Sequence, residues 1–222
     1  MEIKLACFAD THGDLPTDIA DPEISAWLVA GDVARHGDGK TFCKWARSAG
    51  KRIFSVPGNH DSGVFGSNVL GISTINVSGT AQRVSKRIIV AGVGWCTDRS
   101  GEYWVLPGEA QLENVCWSAS SAVLELQKPG DILVLLTHYA PRVQSLPPYE
   151  QKAPGFVYDC IGALIDELAP TVLVHGHTHQ WAGRCTRYND QTLIVCAGPA
   201  TGILTIDEIT KEANFAAAQE SI

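Results

Sequence analysis

Five short apolar runs in this chain each stop at a cluster of histidine, aspartate or asparagine. Residues 3–9 run into Asp10-Thr11-His12, residues 27–30 into Gly31-Asp32, and residues 52–56 into Pro57-Gly58-Asn59-His60-Asp61. Residues 132–137 end at His138, and residues 171–174 lead to His175-Gly176-His177-Thr178-His179. The runs are rich in β-branched residues and too short for helices, so they read as buried strands. In layered α/β proteins, ligands sit just beyond the carboxyl ends of strands. If the five strands share one sheet system, their polar ends can converge on a single site.

The rest of the chain fits that architecture. Further strands are expected at residues 87–93, 193–197 and 203–206, with the fifth run extending to residue 175. Helices are expected over 40–49, 109–127 and 158–168. The second starts after Pro107 and stops at Pro129-Gly130; the third stops at Ala169-Pro170, because proline disfavours helix in the residue before it. Strands alternating with helices predict an α/β layered fold. No repeat and no linker-like stretch divides the 222 residues, so one domain over 1–222 is expected. Two long irregular stretches, 97–108 and 140–155, carry aromatics, prolines and an arginine, and are candidate substrate walls or plain surface loops.

Composition narrows the function. Formal net charge is −7, which disfavours a general nucleic-acid binder. No apolar run is long enough to cross a membrane, and the N-terminus reads as a first strand. The seven cysteines form no CxxC pair and mostly lie in apolar runs, so buried free thiols in a reducing cytoplasm are expected, not a disulfide framework.

All seven histidines (12, 36, 60, 138, 175, 177 and 179) lie in or near the clusters. Taken singly, each motif has an ordinary meaning. Asp10-Thr11-His12 could be a helix cap, Gly31-Asp32 and Asn59-His60-Asp61 polar turns, and His138 a satisfied core histidine. Three histidines in five residues rarely serve packing, and the conjunction at strand ends points to a metal site. Imidazole with carboxylate suits Zn, Fe or Mn, and an asparagine carbonyl adds a harder donor. Cysteine is absent from every cluster, which argues against a structural zinc site.

The set Asp-x-His, Gly-Asp, Gly-Asn-His-Asp, a lone His after an apolar strand, and Gly-His-x-His resembles the calcineurin-like metallophosphoesterase superfamily, from Asp10 to His179. The resemblance implies a four-layer αββα sandwich, in which two mixed β-sheets lie face to face between helices. It implies two divalent ions, with Mn or Fe favoured over Zn. Asp10, His12 and His179 would hold the first; Asn59, His138 and His177 the second; Asp32 would bridge them. A hydroxide between the metals would attack phosphorus in line with the leaving oxygen. The resemblance implies that His60 protonates the leaving oxygen or stabilises the transition state, with Asp61 orienting its ring. His175 is expected either behind the ligands or as a plain strand-end residue.

One departure shifts the expected substrate. Protein phosphatases of the superfamily carry Gly-Asp-x-x-Asp-Arg-Gly, whereas this chain has Gly31-Asp32-Val33-Ala34-Arg35-His36-Gly37. The phosphate-gripping arginine of that motif is missing, and the chain is more similar to the small bacterial-type phosphoesterases and cyclic-nucleotide phosphodiesterase-like members. A small phosphomonoester or phosphodiester is therefore the expected substrate. His36, Arg142 and Arg99 are candidate substrate contacts or plain surface residues, and Tyr103, Trp104 and Tyr149 could stack on a base or merely pack loops. The alternatives are a metal-dependent nuclease, disfavoured by the charge, and a non-catalytic scaffold, disfavoured by a complete set of ligands and His60.

Overall fold

The computed structural model describes residues 1–17, 21–34, 40–61, 74–96, 105–144 and 157–217. In chain order the elements are β1 (Glu2–Phe8), β2 (Ile24–Val29), α1 (Lys40–Ser48), β3 (Arg52–Ser55), β4 (Thr74–Asn76), β5 (Ala81–Arg83), β6 (Ile88–Val93) and α2 (Glu109–Leu126). There follow β7 (Ile132–Thr137), β8 (Ala140–Pro141), β9 (Val157–Tyr158), α3 (Asp159–Leu168), β10 (Val172–His175), β11 (Arg184–Tyr188), β12 (Thr192–Cys196), β13 (Gly202–Asp207) and β14 (Ala213–Ala216). All eight expected strands and all three expected helices are present, with ends shifted by up to three residues.

Two six-stranded sheets result. The first has the order β14-β13-β1-β2-β3-β4, and the second β11-β12-β10-β7-β6-β5. Both are mixed. β1 to β4 run parallel, with β13 antiparallel to β1 and β14 antiparallel to β13. β6, β7, β10 and β12 run parallel, with β5 and β11 antiparallel at the edges. β8 and β9 form a separate two-stranded pair.

Strand alternation separates the layers. Leu5 and Cys7 of β1 face the second sheet and pack with Val90, Val134, Leu136, Val174 and Val195. Ala6 and Phe8 face outward and pack with α1 through Phe42, Trp45 and Ala46. On the other side, Ile89, Leu133, Leu135 and Leu173 face outward onto Leu112, Cys116 and Val123 of α2 and Ile161 and Leu164 of α3. The layers are therefore α1, first sheet, second sheet, then α2 with α3. Strands buried on both faces must be apolar at every position, which is why they read as continuous runs. Each large side chain buried this way contributes roughly 1.5–3 kcal/mol.

α1 is short, but it buries Phe42, Cys43, Trp45 and Ala46 on one face. Trp45 meets Phe8 edge-on at 5.1 Å and Trp27 at 5.2 Å, and its indole N–H donates to the Pro16 carbonyl at 2.8 Å. α3 begins one residue later than expected, because Tyr158 belongs to β9. It ends at Leu168 as expected, but Ala169 leaves it through the left-handed region (φ 44°) and not in extended form. Among the described residues, no helix is long and apolar enough to cross a membrane. All seven cysteines are free; Cys185 is exposed, contrary to the general expectation of buried thiols.

Candidate metal centre

The carboxyl ends of β1, β2 and β3 lie side by side on the first sheet, and those of β7 and β10 lie side by side on the second. Backbone bonds weld the loops that follow. Asp10 N–H donates to Gly31 O, and His12 N–H to Asp32 O, both at 3.0 Å. Gly176 N–H donates to His138 O at 3.0 Å. Bonds also cross between the sheets here: His177 N–H reaches Asp10 Oδ2 at 2.9 Å, and His138 Nδ1 lies 2.7 Å from the Ala30 carbonyl.

Three overlapping clusters of ligand atoms result: Asp10, His12 and His179; Asp32, His138 and His177; and His12, Asp32 and His60. Within each cluster one ligand atom per residue lies within 4.8 Å of the others. Asn59 joins the second, its Oδ1 lying 3.3 Å from His138 Nε2. All seven side chains expected as ligands thus meet at one end of the sandwich. Their burial is graded: Asp10, Asp32, Asn59 and His138 form a buried floor, while the His179 side chain is 58% exposed at the rim.

The backbone is strained there. Asp10, His12, Asp32 and His177 all have φ between 46° and 66°, in the left-handed region. An L-residue pays about 1–2 kcal/mol for that conformation, and such strain concentrates where function requires it. Two glycines make the close approach possible. A Cβ on Gly31 (φ 88°) would lie 2.6 Å from His138 Nδ1, and one on Gly58 would collide with Asp32 Oδ1.

The donor set fits divalent cations. A carbonyl accepts, so His138 Nδ1 carries hydrogen and donates to Ala30 O, which leaves Nε2 facing Asp32 Oδ2 at 3.4 Å. A neutral imidazole would turn a lone pair onto a carboxylate there; a proton or a bound cation relieves the conflict. Without metal, burial would lower the His138 pKa, but the Asp32 charge overrides it and holds the ring at about 9. Burial likewise would raise Asp32, but His138 and His60 hold it well below the usual carboxylate range. A hydrogen bond donated to the Asp10 carboxylate raises the His179 pKa. Burial lowers His60, with the neighbouring imidazoles adding to the effect against the pull of Asp32.

The model of the calcineurin-like phosphoesterase family matches residues 3–181. The chain belongs to that family. Among solved structures it is similar to a Staphylococcus aureus protein described as a candidate 5'-nucleotidase in complex with α-ketoglutarate. The match has TM-score 0.59 and 14% identity, and covers 99% of this chain and 53% of that one. The chain thus spans about half the length of that structure, and the likeness is one of fold. A Saccharomyces cerevisiae serine/threonine phosphatase with similarity to human PP5 aligns at TM-score 0.44 and 11% identity, over 99% of this chain and 81% of that one. Among curated proteins none matches the chain in sequence.

For a calcineurin-like phosphoesterase, Asp61 is used differently from the expectation. It was expected to orient the His60 ring. Its carboxylate is fully buried and accepts four backbone N–H groups instead: Asp32 at 2.7 Å and Gly58 at 2.9 Å on Oδ2, Val33 at 2.9 Å and Ala34 at 3.0 Å on Oδ1. Those donors fill its acceptor positions, so Asp61 locks the loop after β2 to the loop after β3. Burial and the Asp32 charge push its carboxyl up to about 7. His60 is placed through its backbone, its N–H donating to Asp32 Oδ1 at 2.8 Å, with Nε2 4.0 Å from Asp32 Oδ2. Its ring meets that of His12 edge-on at 4.8 Å.

Arg142 lies outside the clusters. Its Nε pairs with Asp159 at 2.9 Å and its backbone N–H donates to Tyr158 O. His36 falls outside the described residues, as do Arg99, Tyr103, Trp104 and Tyr149. His175 is buried, with Nδ1 2.9 Å from Gly176 O and its ring stacked on Trp181, and burial lowers it to about 4. Tyr139 was missed. It is fully buried, its ring lies 4.8 Å from that of His138 and 5.2 Å from that of His177, and its hydroxyl donates to Trp95 O. An aromatic residue directly after the lone strand-end histidine was the available signal.

Proposed function

We propose that the chain is a phosphoester hydrolase dependent on two divalent metal ions and acting on small phosphodiesters or phosphomonoesters. Asp10, His12 and His179 would hold one ion and Asn59, His138 and His177 the other, with Asp32 shared. The observation that carries this reading is the position of Asp32: it lies in one cluster with His138 and His177 and in another with His12 and His60, and of these histidines we assign His60, 4.0 Å from Asp32, to the chemistry and not to a metal. A shared carboxylate offers two oxygens and offsets part of the repulsion between two cations. Bound there, two divalent ions would supply an activated water and charge for the phosphate oxygens. Imidazole and oxygen donors together favour Mn or Fe and also suit Zn.

The residues of the chain supply the remainder. Asp61 fixes the two loops that present Asp32 and Asn59. His60, lowered by burial, would be drawn upward by an anionic phosphate in the site and could then carry a proton to the leaving oxygen. Arg142, whose Nε pairs with Asp159, and His36 are the candidate phosphate contacts.

The test is turnover of a chromogenic phosphodiester and a chromogenic monoester by metal-stripped protein reconstituted with Mn. Activity that returns with metal, and falls in His60→Ala at unchanged metal content, is the expected result. A fully metal-loaded preparation inert on both substrates would count against the reading. Loss of metal in His60→Ala would reassign His60 as a ligand.

A further inference from the structure

α2 and α3 cover the outer face of the second sheet and pack against each other. Between them lies a groove of about 240 Å³, whose walls include Cys116 and Trp117 from α2 and Cys160 and Ala163 from α3. Small residues let the helices approach closely, and Ser120 of α2 donates to Glu167 of α3 at 2.8 Å. Cys116 and Cys160 both line this groove, and Cys160 packs against the core cluster that contains Cys116; the Cys160 thiol interacts with Cys116 and with the Glu109 carboxylate. Glu109 also accepts the Cys160 backbone N–H at 2.6 Å, which fixes the first turn of α3. Cys116 is 5% exposed and Cys160 is partly exposed, so one sulfur of the pair is open to the groove.

We infer that Cys116 and Cys160 are a reversible dithiol–disulfide pair that ties α3 to α2. A low-molecular-weight disulfide such as oxidised glutathione is the oxidant. The Cys160 sulfur gives up its proton to solvent base and attacks one sulfur of the oxidant, releasing the first reduced thiol. Cys116 gives up its proton and displaces the second thiol, closing the S–S bond. Two electrons pass to the oxidant, which leaves as two thiols and accounts for both protons. Because Cys116 and Glu109 push the Cys160 thiol up, the exchange is slow near neutral pH and quickens as pH rises.

The tie has a structural consequence beyond the seam. Tyr158 and Asp159 immediately precede Cys160. They hold the Arg142 backbone and guanidinium, and the Tyr158 ring lies 5.2 Å from that of Tyr139, behind His138 and His177. Oxidation therefore steadies a segment that leads back to the metal centre.

The other thiols make the test selective. Cys7, Cys43 and Cys196 are buried, Cys96 is partly exposed and follows β6, and Cys185 is exposed and lies on β11, so neither of the accessible ones is on α2 or α3. Folded full-length protein is treated with oxidised glutathione at about pH 9.5, above the ordinary thiol value of about 8.5, then alkylated and mapped by peptide mass spectrometry. The expected product links the peptide containing Cys116 to the one containing Cys160, and the thermal midpoint rises by about 5–10 °C. A dithiol reductant should reverse both changes. In Cys116→Ser, Cys160 should stop at the glutathione adduct and the rise should vanish; Cys160→Ser should give no cross-link. A wild-type protein in which Cys160 carries only glutathione, or stays unmodified while Cys185 reacts, would overturn the inference. So would a cross-link that forms only after unfolding.

Discussion

The left-handed backbone at His12 offers a test that separates folding from function. His12 has φ 46°, and its N–H donates to Asp32 O at 3.0 Å, a bond any residue can make. An L-residue there costs about 1–2 kcal/mol, which glycine avoids. Glycine gives back roughly 0.5–1 kcal/mol through its freer unfolded chain. His12→Gly should therefore stabilise the metal-free protein by about 0.5–1 kcal/mol. At this chain length that is a rise of about 1–4 °C in the thermal midpoint. His12→Ala, which loses the ring but keeps the strain, should fall below His12→Gly. Adding Mn should reverse the order. A ligand at about 100 times its Kd adds roughly 2.7 kcal/mol to the wild type, and the variant should gain little of it. Calorimetry of the three proteins with and without Mn reads both effects. A metal-free His12→Gly less stable than wild type, or one with the full Mn-induced rise, would refute the reasoning.

Other outcomes follow from the same geometry. Asp61→Asn should turn an amide NH2 toward two of the four backbone donors and destabilise the protein by about 3 kcal/mol in denaturant unfolding; an unchanged midpoint would contradict the locking role. Gly58→Ala, whose methyl collides with Asp32 Oδ1, should abolish high-affinity metal binding in calorimetric titration, and wild-type affinity would show the approach is not required. The pH dependence of the metal-free protein should report His138. A histidine raised by folding contributes its stability fully below the unfolded value of about 6.5 and loses it as pH rises through about 9. The metal-free midpoint should fall over that window, and His138→Gln should flatten the fall. Metal binding near pH 7.5 should then release a proton, seen as buffer-dependent binding heat; heat independent of the buffer would remove His138 from the ligand set.

The major strands were legible because burial on both faces leaves them uninterrupted apolar runs, and their polar ends marked the site. The strands that went unread are short or lie at edges. β11 (Arg-Cys-Thr-Arg-Tyr) carries two arginines on a largely exposed edge strand, so its alternation looks like a loop. β4, β5, β8, β9 and β14 span two to four residues, too few for a period to show. The convergence of the clusters followed from strand direction alone, given shared sheets. The role of Asp61 did not, because a carboxylate that binds backbone amides leaves no partner side chain in the sequence to pair it with. The strain at Asp10, His12, Asp32 and His177 was equally hidden, since residue type disfavours that conformation and only the surrounding hydrogen bonds impose it.

The central claim is that two metal ions share Asp32, and anomalous diffraction from Mn-soaked crystals tests it most directly. The account predicts two peaks about 3.5–4 Å apart. One should lie against Asp10, His12 and His179, the other against Asn59, His138 and His177, with Asp32 touching both and His60 touching neither. A single peak, a pair that excludes Asp32, or a peak bonded to His60 would contradict it.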